Sequence, residues 1–206
     1  MDEVLKPRRG GARRRWIVGA AALLAGWAPA AVAESVGVQE ISVGEARGEA
    51  GPTLMLQFSF AEALYRSLNT PDWKWVSNSM GYDAAAFGAS TGMAVIGVRV
   101  EKLADGKGGV LEKMGAPAIA AIRKKWADEE AGERVKVLAF EASPENEEVA
   151  VRFRRMEKGR ELEGFERSFF GEGRLITLGM LADARHLETA WAMFSHVNGS
   201  FAKVEP

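Results

Sequence analysis

Cysteine is missing from all 206 residues, and histidine occurs only twice. A chain without cysteine has no disulfide framework, cysteine zinc site, thiol nucleophile or lipid-modified thiol. Two histidines argue against a multi-histidine metal centre. A surplus of one charge sign is missing too: 27 Lys+Arg stand against 28 Asp+Glu, a formal net charge of −1. At a pI near 6.2 this balance argues against a nucleic-acid partner. Hydrophobic residues make up 47% and mean hydropathy is −0.11, which describes a globular chain rather than a disordered one.

The near-neutral total averages two unlike pieces. Residues 1–33 carry six basic side chains (Lys6, Arg8, Arg9, Arg13, Arg14, Arg15) and two acidic ones (Asp2, Glu3). That leaves 21 basic and 26 acidic residues in 34–206, a net charge of −5. Arg13-Arg14-Arg15 precede an apolar run from Trp16 to Trp27, and Pro29 and Ala31-Val32-Ala33 follow. A basic region, a short apolar stretch and a small-x-small site make a secretory signal peptide of bacterial type. Cleavage is expected after Ala33, giving a periplasmic or secreted domain of residues 34–206, of a size that buries a real core. The alternative is an uncleaved anchor, since Trp16 to Ala33 is at the lower limit for spanning a bilayer. The double arginine also resembles part of a twin-arginine motif, but Ala12 stands where Ser or Thr is usual.

Periodicity outlines the rest. A weak strand pattern surrounds Val36, Val38 and Ile41, and Gly44 to Gly51 reads as a loop. Leu54, Leu56, Phe58 and Phe60 alternate as one face of a strand. Ala61 to Leu68 reads as one or two helical turns ended by Asn69 and Pro71. Trp73 and Trp75 then share one face of an extended segment. Ala84 to Phe87 and Met93 to Leu103 form a hairpin, and the second arm is apolar on both faces until Arg99, as a strand covered on both sides is. Val110 to Glu130 reads as helical, with Ile119, Ile122 and Trp126 as its stripe and Pro117 at a kink or a first turn. Arg134 to Glu141 then precedes a meander of three strands: 148–155, 160–170 and 174–180. A four-residue loop at Met156 to Gly159 would set Arg154 opposite Glu161, Arg152 opposite Glu163 and Phe153 opposite Leu162. The last helix, Asp183 to Asn198, carries Leu187, Ala190, Trp191, Phe194 and Val197 on its apolar side, with Gly199 as its cap and His196 exposed. This order describes an α+β fold, a mostly antiparallel sheet with helices on both faces.

Phe58-Ser59-Phe60, Pro71-Asp72-Trp73, the strand Met93 to Val100 and the helix around Ile119 to Trp126 carry a family resemblance. So do Gly173 to Leu178, Trp191-Ala192-Met193-Phe194 and Gly199-Ser200-Phe201. Over residues 53–201 the chain resembles the PsbP-like (Mog1/PsbP/DcrB) superfamily. The resemblance implies an α-β-α sandwich and a non-catalytic binding or accessory role.

The remaining signals concern chemistry. Gly88-Ala89-Ser90-Thr91-Gly92 matches the Gly-x-Ser-x-Gly elbow, and Asp183 and His186 follow in serine-acid-histidine order. A serine hydrolase at Ser90 is therefore an alternative reading. That elbow requires a helix after Gly92, and the segment there reads as a strand. His186 and His196 stand about 80° apart around one helix, unsuited to joint metal ligation. Trp73, Trp75 and Tyr82 are candidates for stacking on a ligand or partner, set against core packing from one strand face. Arg152 and Arg154 are the further ligand-binding candidates, for an anion or a phospholipid surface, set against a sheet face salt-bridged through Glu161 and Glu163. No cofactor or metal is expected. The partner is a protein or small molecule, with peripheral membrane contact as a third reading.

Overall fold

Period-two alternation runs through most of the chain, and the computed structural model is dominated by strands. It describes residues 33–48, 51–60, 63–88, 94–104, 109–171 and 173–204. Residues 1–32 of the expected leader 1–33 lie outside them, as does Ser90. The strands are β1 (Ala33–Ser35), β2 (Val38–Gly48), β3 (Gly51–Phe60), β4 (Ala63–Leu68), β5 (Trp73–Ser79), β6 (Tyr82–Gly88), β7 (Ala94–Ala104) and β8 (Val110–Leu111). Helix α1 (Ala116–Ala131) is followed by β9 (Val135–Ser143), β10 (Glu148–Glu157), β11 (Arg160–Gly171), β12 (Arg174–Ala182), helix α2 (Leu187–Ser200) and β13 (Ala202–Lys203).

The α+β class stands, but the strands form two sheets rather than one. The larger runs β5-β6-β7-β12-β11-β10-β9, with β1 and β8 also paired to β7. The smaller runs β13-β4-β3-β2. Every pairing is antiparallel.

Strand β7 sits mid-sheet and is buried on both sides, as its two apolar faces required. Its even residues Ile96, Val98 and Val100 share a core with Leu56, Phe58 and Phe60 of β3 and Ala190, Phe194 and Val197 of α2. Its odd residues Val95 and Leu103 share another with Ala118, Ile122 and Trp126 of α1 and Val151 and Phe153 of β10. The apolar stripes expected on the two helices are therefore the ones that pack.

Several local expectations are corrected. The segment Ala63–Leu68 is a strand, not helical turns: Tyr65 and Ser67 alternate inward, and the segment pairs with β3 and β13. The stretch from Gly44 is no loop, because β2 continues to Gly48 in a hairpin with β3. The long helix begins only at Ala116, with Pro117 in its first turn, where a missing N–H costs nothing; Val110–Leu111 is a short strand. Helix α2 begins at Leu187, and Gly199 lies within it, the cap being Phe201.

The β10–β11 register differs by two residues from the expected one. Glu157 pairs with Arg160, Arg154 with Glu163, Arg152 with Phe165 and Phe153 with Gly164. Lys158 (φ 51°) and Gly159 (φ 76°) form a two-residue turn whose left-handed backbone matches the twist of a tight hairpin. A shift of two keeps every side chain on its face, so the intended charge pairs survive as diagonals. Arg152 Nε donates to Glu163 Oε1 at 2.7 Å, and Arg154 Nη1 lies 3.9 Å from Glu161.

Candidate functional site

The five candidate residues fall in three separate places. Trp73 and Trp75 come together. They line an open cleft of about 360 Å³ with Ile41, Ser42, Val43, Leu56, Asn69, Thr70 and Pro71. The cleft lies between β2 and β5. Its wall follows from alternation: Ile41 and Val43 of β2 pair with Phe58 and Leu56 of β3. The core covers Leu56, but Val43 and Leu54 remain 56% and 53% exposed, so the inner face of the β2–β3 ribbon extends past its packing partners. Trp73 is buried at 7% exposure, while Trp75 is half-buried. Trp75 meets Phe58 edge to face with centroids 4.9 Å apart, and its Nε1–H donates to Thr70 Oγ1 at 2.8 Å. Ring contact and hydrogen bond together fix the indole as a rigid wall.

Tyr82 does not join this cleft. It is 6% exposed and belongs to the α1-side core. Gly97 and Gly179 pair across β7 and β12, and the ring lies over both. The Tyr82 hydroxyl donates to Glu166 Oε1 at 3.1 Å. Arg99 donates through Nη2 to Glu166 Oε2 at 3.1 Å and through Nη1 to the Gly81 carbonyl at 3.2 Å. Arg99 Nε stands 3.2 Å from Glu101, and Lys125 Nζ stands 3.7 Å from the same carboxylate. Burial disfavours a charged Arg99, yet Glu101 and Glu166 outweigh it and raise its pKa above the ordinary value. Burial likewise acts to raise Glu101, but Arg99 and Lys125 prevail and hold it below the usual carboxylate value. Burial pushes the Tyr82 phenol well above its ordinary pKa, and Glu166 adds to the rise. This network ties strands β6, β7 and β11 to helix α1.

Arg152 and Arg154 are exposed on β10, and both pair with Glu163. They form a salt-bridged sheet surface rather than part of the cleft. Exposed pairs of this kind contribute about 0–1 kcal/mol each.

Near the start of α2, His186 Nδ1 hydrogen-bonds Asp183 Oδ1 at 2.7 Å, and Arg185 Nη2 reaches Asp183 Oδ2 at 3.2 Å. Desolvation opposes ionisation of Asp183, but these hydrogen bonds outweigh it and lower its pKa. A lowered folded pKa gives stability that is present above the unfolded value and lost as pH falls through the folded one. Asp183→Asn should therefore lower Tm at pH 7, and the gap should close as pH drops below the ordinary 3.8. Thermal melts from pH 7 to pH 2 check this; a gap independent of pH overturns it. The first described segment after Gly88 is strand β7, from Ala94, rather than the helix a serine elbow requires. Among the described residues no cluster of three or more His, Asp or Glu is placed to hold a metal ion. Among them, too, no helix is long and apolar enough to cross a membrane.

Sequence reasoning found the tryptophans from their i, i+2 spacing. It missed Ile41, Ser42, Val43, Leu56, Asn69 and Thr70 as cleft residues. Leu56 had a signal in the β3 alternation. Asn69 and Thr70 looked only like a helix end, and nothing local pairs Thr70 with an indole.

No protein-family model matches the chain. No curated protein matches it in sequence. Among solved structures it is similar to the cyanobacterial PsbP, CyanoP, from Synechocystis sp. PCC 6803, with 17% identity and a TM-score of 0.52 over 77% of this chain and 98% of that one. It is also similar to LpqN, involved in cell envelope biogenesis of Mycobacterium tuberculosis, with 9% identity and a TM-score of 0.46 over 81% of this chain and 92% of that one. The second likeness is too loose to carry an argument. The first covers nearly all of the cyanobacterial domain, so the chain has the PsbP-like fold.

Proposed function

We propose that this chain is an exported binding or accessory domain without catalysis, whose ligand or partner is held at the Trp73–Trp75 cleft. The observation that carries the reading is the cleft itself: a preformed concavity where two tryptophans meet unpartnered apolar ribbon. Small-ligand sites are concave, largely apolar and lined by aromatics with a few polar groups. The PsbP-like fold supports an accessory role, since the superfamily that the sequence resembles consists mostly of such proteins. In the same reading α1 and α2 cover opposite faces of the larger sheet, the α-β-α arrangement; the separate cores of the two helices support it.

Two measurements test the proposal. The emission lost on Trp75→Phe should be quenched by acrylamide in the native protein; complete protection of that component removes the cleft as a binding site. Intact-mass analysis of protein purified from its exporting host should show the loss of residues 1–33. A full-length mass there removes the cleaved-leader part.

A further inference from the structure

The lining of the cleft is uncharged throughout: Ile41, Ser42, Val43, Leu56, Asn69, Thr70, Pro71, Trp73 and Trp75 include no ionisable side chain. In a chain with 27% charged residues, that selection bears on what the cleft takes. A charged ligand group would meet no counter-charge among the lining side chains, so the water it sheds there is not offset by an ion pair. Glu40 and Glu45 flank the lined stretch of β2, and Asp72 and Lys74 flank Trp73, but none of the four is in the lining.

The exposed lining is about evenly polar and apolar, and one of its hydrogen-bonding groups is already engaged. The Trp75 indole N–H donates to Thr70 Oγ1, which leaves that hydroxyl its own proton to donate. Asn69 and Ser42 complete the polar lining. Val43 and Leu54 supply exposed apolar surface on the ribbon, with Val43 in the lining itself. The volume, about 360 Å³, lies at the small end of the range for ligand pockets.

From these features we infer that the cleft takes an uncharged small molecule that pairs an apolar ring or chain with one or two hydrogen-bonding groups. This deepens the binding reading above and rests on it.

The test uses two dyes that share one ring skeleton. N-phenyl-1-naphthylamine is neutral, and 8-anilino-1-naphthalenesulfonate carries a fixed negative charge. The purified native protein should bind the neutral dye saturably and at least tenfold more tightly than the anionic one, with quenching of tryptophan emission. Val43→Asp and Val43→Lys each place a charge at an exposed wall position, where folding is not at stake. Both should weaken the neutral dye at least tenfold, while urea unfolding midpoints stay at the wild-type value. Equal affinity for the two dyes overturns the ligand class. Neutral-dye binding that ignores both Val43 substitutions overturns it as well. Acrylamide access to Trp75 is read without either dye, so failure of the binding reading is separable from failure of the ligand class.

Discussion

Gly97→Ala is expected to destabilise the domain more than any other single methyl addition in the larger sheet. A Cβ on Gly97 would stand within 2.5 Å of Tyr82 Cδ1 and closer still to Cγ and Cδ2. On the paired Gly179 it would reach 2.7 Å from Tyr82 Cζ, with the hydroxyl oxygen nearer. Neither side has room to give. Gly97 lies on β7, in mid-sheet between β6 and β12, and the ring is held at its far end by Glu166. Overpacking in a filled core costs roughly 1–3 kcal/mol and occasionally more; a rigid ring between central strands places this case at the upper end. The urea midpoint should fall accordingly. In a Tyr82→Ala background the same glycine substitution should cost far less, because the overlapping ring is gone. Equal costs in the two backgrounds would show that the ring over the glycines is not the constraint.

Glu166→Ala should produce a loss of similar size by a different route. It strips Arg99 of its Nη2 partner and the Tyr82 hydroxyl of its acceptor at once. The Arg99 and Glu166 side chains are 10% and 9% exposed, so water does not readily replace what is lost. Removing one member of a buried ion pair costs about 3–5 kcal/mol, chiefly because the other charge stays buried. Arg99→Met combined with Glu166→Ala should therefore cost less than the sum of the two single changes, since Glu101 keeps Lys125 3.7 Å away. Strict additivity in that cycle would remove the network from the account. The pH dependence follows from Glu101. Its folded pKa is lowered, so its contribution is present above the ordinary 4.5 and lost as pH falls through the lower folded value. Acid unfolding of the wild type should begin in that window, and Glu101→Gln should flatten the pH profile there.

Parts of this architecture are legible in the residues alone. The β6–β7 hairpin follows from two apolar runs around a glycine-bounded turn, and α2 from Ala190, Phe194 and Val197 at helical spacing. The second sheet is not legible, for an identifiable reason. Ala63-Leu64-Tyr65-Arg66-Ser67-Leu68 satisfies helical and strand periods about equally over six residues. Pairing with β3 and β13 decides it, and that pairing is tertiary. The β10–β11 register escapes for a related reason. A two-residue slip preserves both faces, so matching charges and apolar groups cannot distinguish the two alignments. The backbone of Lys158 and Gly159 does. For the site, Trp73 and Trp75 announce themselves by spacing. Tyr82 looks like their companion until Gly97 and Gly179, far away in the chain, are seen to form the slot that takes it.

The pairing that closes the smaller sheet also bears on the timing of biosynthesis. Leu68 donates its N–H to Ser200 Oγ, a partner 132 residues further along. Strands β2, β3 and β4 emerge early, and one edge of β4 stays open until β13 has been made. Non-local pairings of this kind form slowly, because loop closure precedes any return from contact. The smaller sheet is therefore complete only when nearly the whole described chain has been made.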